Sequence, residues 1–115
     1  MNSIVEEKSF KFAIRIVNLH KHLVTDKKEY LMSKQVLRSG TSIGANVSEA
    51  ERGHTKPDFY AKLSIALKEA NETCYWIRLL YATDYLEEKE FTSLFADVNE
   101  LISILVAICK SKDCT

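Results

Sequence analysis

At 115 residues, 46% hydrophobic and 28% charged, the chain has the size and composition of one globular domain. Three Gly and one Pro argue against a loop-rich or all-β fold, and a sequence this long needs neither disulfide nor metal to bury a core. A formal net charge of zero excludes a global field drawing the chain towards nucleic acid or membrane.

The first predicted helix covers about residues 4–24. Ser3 and Glu6 have capping-box spacing. Phe10, Ala13 and Val17, and beside them Phe12, Ile16, Leu19 and Leu23, recur at steps of three and four. Two adjacent stripes predict burial against more than one neighbour. Lys8, Lys11, Arg15 and His22 fall on the opposite face. A polar turn through Asp26, Lys27 and Lys28 follows.

The second predicted helix covers about 29–52, with Met32, Val36, Ser39/Gly40, Ile43, Val47 and Ala50 as its stripe. Its centre, from Ser39 to Ala45, is rich in small residues. Glycine within a helix costs about 1 kcal/mol relative to alanine. Small side chains, however, let another backbone come close. Both a continuous helix and a break at Gly40 fit this segment.

Gly53 and His54 mark the next turn. Thr55 as N-cap, Pro57 in the first turn and Asp58 at the positive end of the helix dipole start a third helix, about 56–83. Phe59, Leu63, Ala66, Ala70, Cys74, Ile77 and Tyr81 form a near-heptad seam. A fourth helix, about 87–110, carries Phe91, Leu94, Val98, Leu101, Leu105 and Ile108. Ser111 to Thr115 is a polar tail. The prediction is one all-α domain over 1–115, an up-down-up-down antiparallel four-helix bundle, because short turns permit only antiparallel neighbours.

The cysteines, Cys74, Cys109 and Cys114, are odd in number and irregularly spaced, so no disulfide framework is expected. Cys74 and Cys109 lie on apolar stripes and are expected to be reduced core residues. The first residues lack a basic segment leading into an apolar run, and the run from Ile104 to Cys109 is too short to span a bilayer. A cytoplasmic protein is expected, with no membrane partner.

Catalytic patterns are weak. A di-metal carboxylate bundle needs two Glu-x-x-His motifs, and Glu51 to His54 supplies one, at a helix end. No phosphate-cradling glycine loop is present. Neither Cys74 nor Ser42 has an evident base beside it. A non-enzyme without metal or cofactor is expected.

Arg38, Ser42, Asn46 and Glu49 step by four, four and three along the second helix, and Glu69 and Glu72 lie near the seam of the third. Buried polar groups usually pair, so Arg38 and Asn46 are expected to meet Glu69 or Glu72 between the two helices; a solvated ribbon is the alternative. Charge is unevenly spread: residues 1–62 carry 11 Lys+Arg against 7 Asp+Glu, the remainder 5 against 9. Lys8, Lys11, Arg15, Lys27, Lys28 and Lys34 are therefore candidates for a nucleic-acid face, with two solvated helix faces of opposite sign as the competing account.

Leu37-Arg38-Ser39, Thr41 through Asn46, Glu49-Ala50, Asp58-Phe59, Lys62 through Thr73 and Tyr75-Trp76 together resemble a bacterial family of four-helix bundles. These proteins are encoded in intervening sequences of large-subunit ribosomal RNA genes and are often called S23 ribosomal proteins. The resemblance implies an up-down bundle without known catalytic activity that assembles as a homopentamer, with RNA as a candidate partner. By position, Arg38, Ser42, Asn46, Glu49, Glu69 and Glu72 match the family's polar signature. The family is similar in turn to the pentameric accessory protein of diversity-generating retroelements, from whose strongly basic character this neutral chain departs. Two functions follow as expectations: an oligomeric, RNA-associated scaffold, or a protein-interaction adaptor with no nucleic-acid role.

Overall fold

The structure, a computed structural model, describes residues 3–111, so Cys114 and the end of the polar tail lie outside the described residues. Four helices follow one another: α1 (Ile4–Thr25), α2 (Met32–Glu51), α3 (Lys56–Ala82) and α4 (Glu88–Ser111). Each packs on its neighbour in sequence, and α1 closes on α4 through a much slighter contact. The result is an antiparallel bundle of 47 × 21 × 20 Å.

The caps follow from local chemistry. Ser3 Oγ accepts the Glu6 N–H at 3.1 Å, and Thr55 Oγ1 accepts the Asp58 N–H at 3.2 Å. The Glu6 carboxylate is turned to Arg52, 3.4 Å away. At the end of α3, Asp84 takes a left-handed conformation (φ 69°), and the Tyr85 N–H returns to the Leu80 carbonyl at 2.9 Å. That is the Schellman pattern, with aspartate where glycine is commoner.

Helix α2 begins at Met32, three residues later than the apolar periodicity predicts. Glu29 is the cause. Its carboxylate accepts the N–H groups of Leu31 at 3.3 Å and Ser33 at 2.8 Å, so it acts as a cap rather than as a helical residue. Lys28 before it has φ 57°, which a helix does not allow.

The core is hydrocarbon from all four helices, including Phe12, Ile16, Leu23, Val36, Ile43, Leu63, Ile77, Leu80, Val98 and Leu105. The second stripe expected on α1 stays largely outside: Phe10 is 66% exposed, while Ala13 and Val17 are half-buried. The α3 seam is turned slightly from its predicted register. Thr73 and Leu80 are buried, whereas Cys74 and Tyr81, expected in the seam, are half-buried. Cys109 is half-buried as well. Helix α2 runs unbroken through Gly40 and Gly44.

Candidate functional site

Arg38 points from α2 across to α3. Its guanidinium forms ion pairs with Glu72 and, at 3.4 Å, with Glu69. Gln35 Oε1 accepts from Arg38 Nε at 3.3 Å and from Nη2 at 3.2 Å. The Trp76 indole N–H donates to Glu72 Oε2 at 3.0 Å. That indole bond, opposed by burial and aided by Arg38, holds the Glu72 carboxyl below its ordinary range. The expected bridge between α2 and α3 thus forms through Arg38, Glu69 and Glu72, and it recruits Gln35 and Trp76, which the spacing of charged residues did not single out. Trp76 stands four residues after Glu72 on the same helix, and that spacing was the available signal.

The rest of the polar signature behaves differently. Ser42 Oγ donates to the Arg38 carbonyl at 2.6 Å and Asn46 Nδ2 to the Ser42 carbonyl at 2.8 Å. Asn46, expected to reach Glu69 or Glu72, is instead satisfied within its own helix, where the carbonyl four residues back is nearest. Glu49 pairs with Lys62 of α3 at 2.9 Å. Beneath Arg38 lies a bond the sequence reading missed: Thr73 Oγ1 lies 3.0 Å from Ser39 Oγ, which in turn donates to the Gln35 carbonyl at 3.0 Å. The polar positions therefore fasten α2 to α3.

The candidate nucleic-acid face divides in two. Arg15 pairs with Asp97 at 2.7 Å, Lys8 with Glu100 at 3.2 Å, and Lys11 with Glu7 at 3.1 Å. The first two bridge the thin α1–α4 seam over Phe12 and Leu101, so this part of the face is neutralised by its own fold. Lys27, Lys28 and Lys34, together with Lys21, are exposed and make no ion pair among the described residues.

Cys74 has its thiol pushed up by burial, the opposite of what an activated nucleophile requires. Among the described residues no group of three or more His, Cys, Asp and Glu could hold a metal ion. The Ser33 hydroxyl is buried without a hydrogen-bond partner among the described residues. Tyr81 stacks on Phe91 at 4.2 Å and Phe91 on Phe95 at 5.1 Å. With Tyr75, Arg78, Leu79 and Ala82, Tyr81 and Phe91 line a shallow apolar depression at the α3–α4 end.

An all-helical bundle with a hydrocarbon core and interhelical ion pairs is the class of protein that these features define. The chain belongs to the family described as 23S rRNA-intervening sequence protein, which it matches over residues 1–107. It is also similar to a crystal structure from Bacteroides thetaiotaomicron VPI-5482, of a protein with unknown function from the S23 ribosomal protein family. The two share 53% identity over 93% of this chain and 99% of that one, with a TM-score of 0.92. No curated protein matches the chain. Neither the family description nor that of the crystal structure names an enzymatic activity.

Proposed function

We propose that the chain is a non-catalytic bundle that self-associates into a cytoplasmic scaffold, with RNA as the ligand class. The observation that carries self-association is the unused apolar surface of α1 and α4. Phe10 and Ile14 are 66% and 49% exposed on α1. On α4, Phe91, Phe95, Ile102, Ile104 and Ile108 pack on the core but are only half-buried within one chain. By length and composition alone α4 could cross a membrane. A bilayer would nonetheless break the Arg15–Asp97 and Lys8–Glu100 pairs and strip Leu94, Val98, Leu101 and Leu105 from the core. Further copies of the chain cover the same surface at no such cost, and five is the number that the family resemblance implies.

RNA is the ligand class that the family resemblance offers, and the lysines around the α1–α2 turn, which make no ion pair among the described residues, are the cations open to it. Light scattering of the purified protein tests the scaffold: a homo-oligomer is expected, and a monomer at high concentration overturns it. Filter binding of structured RNA at low and high salt tests the second part. Phosphate contacts predict affinity falling steeply as salt rises. An oligomer that binds no RNA at low salt would leave a protein-interaction adaptor.

A further inference from the structure

The α1–α2 and α3–α4 turns lie at the same end of the bundle, and their charges are sorted. On one half stand Lys21, Lys27, Lys28 and Lys34, all exposed. The two acids within that stretch are occupied: Asp26 binds His22 at 2.7 Å and Glu29 caps α2. On the other half stand Asp84, Glu87, Glu88 and Glu90, exposed and without an ion pair among the described residues, with Lys89 as the one cation between them. His22 and Lys27 line one depression with Asp84, Tyr85, Glu87 and Glu90, so the two halves share a border.

Helix polarity accounts for only part of this. Acids in the first turn of α4 favour that helix, but Lys34 lies in the first turn of α2, which holds no acid and where the dipole disfavours a cation. Lys28 and Asp84 are the two non-glycine residues with positive φ among those described, one in each turn. The basic half also carries the exposed side chains of Tyr30 (55%) and Leu31 (80%).

We propose that this end face pairs with the same face of a second copy, end to end, about a two-fold axis running along the border between the halves. That axis lays the lysine half of each copy over the acidic half of the other and brings Tyr30 and Leu31 of both copies into the contact. A two-fold contact requires one self-complementary patch, and a face split into opposite charges is such a patch. RNA is the less favoured occupant of the lysines, because the adjoining acids repel a phosphate chain. An anionic bilayer would meet the same repulsion. The bundle's cross-section of 21 × 20 Å limits the buried area to roughly 400 Å² per copy, about half that of a standard interface, so the contact is expected to be weak and sensitive to salt. Because this contact uses the end of the bundle, it is independent of side-by-side assembly through α1 and α4.

The test uses two full-length variants. Lys27→Glu with Lys28→Glu makes the end largely acidic, and Glu87→Lys with Glu90→Lys makes it largely basic. Circular dichroism confirms that both fold, since every substituted side chain is exposed. Each variant is mixed with itself and with the other at low salt, and association is read by sedimentation. The mixed pair is expected to associate at least about tenfold more tightly than either variant with itself, and the difference to vanish at high salt. Side-by-side assembly, if present, adds equally to all three mixtures. Equal association in every mixture overturns the pairing. So does a basic-ended variant that gains RNA binding while ignoring its acidic-ended counterpart, an outcome that assigns the lysines to phosphate.

Discussion

Ile16 of α1 sits directly over Gly40 of α2: a methyl group on that glycine would lie 2.8 Å from both Ile16 Cγ1 and Cγ2. Ile16 is fully buried and β-branched, so it has little freedom to retreat. Overpacking costs about 1–3 kcal/mol, while alanine's helix preference returns about 1 kcal/mol. Gly40→Ala is therefore expected to lose about 1 kcal/mol, visible as a drop of roughly 4 °C in thermal melting. At Gly44 the added carbon would meet the Ser9 carbonyl at 3.2 Å, a milder conflict. Gly44→Ala should cost less than Gly40→Ala, and the reverse order would contradict the packing described.

That glycine shows what the sequence could and could not disclose. Apolar spacing revealed four helices because burial of a stripe is a local property of period 3.6. Small residues at the centre of α2 announced a close approach, but which side chain would fill it depended on the register of α1. Register also decided that Thr73 rather than Cys74 faces inward, a rotation by one position that a near-heptad pattern cannot resolve. Glu29 escaped because its capping role needs a backbone that leaves the helix at Lys28. Arg15 and Asp97 are 82 residues apart, so nothing local foretold their pairing or the partial neutralisation of the basic face.

Glu29 supplies the second prediction. It is 8% exposed and its carboxylate holds two N–H groups at the start of α2. Glu29→Ala removes both acceptors and is expected to destabilise the protein by about 1–2 kcal/mol in chemical denaturation. Glu29→Gln keeps one carbonyl acceptor in place and should lose less. Equal losses would mean that the negative charge, rather than the capping bonds, is what α2 requires.

The Arg38 cluster makes a prediction about pH. Glu72 titrates below an ordinary glutamate in the folded protein, first through the Trp76 indole and then through Arg38. Its folded value is the depressed one. The stability it contributes is therefore complete above the unfolded value and is lost as pH falls through the folded value. Glu72→Gln should therefore show a small loss of stability at neutral pH that disappears at low pH, which flattens the acid limb. Glu72 is 34% and Arg38 49% exposed, so solvent screens the pair. A double-mutant cycle on Arg38 and Glu72 is expected to return below about 1 kcal/mol of coupling, and less still for Arg38 with Glu69. Coupling stronger through Glu69 would reverse the assignment.

The ion pairs also divide the basic residues by what they can offer RNA. Arg15 and Lys8 must surrender Asp97 and Glu100 before meeting a phosphate, and Lys11 must surrender Glu7. Lys27, Lys28 and Lys34 have no ion pair to surrender among the described residues of one chain. If the protein binds RNA, replacing Lys27, Lys28 and Lys34 with Gln should weaken binding and reduce the slope of affinity against salt by roughly the number of phosphate contacts removed. Replacing Lys8, Lys11 and Arg15 with Gln should alter that slope far less, while loosening the α1–α4 seam by up to about 1 kcal/mol per lost pair in thermal melting. A larger loss of RNA affinity from the second set would show that the seam opens to expose its cations, and would place the RNA surface along α1 instead of at the turn.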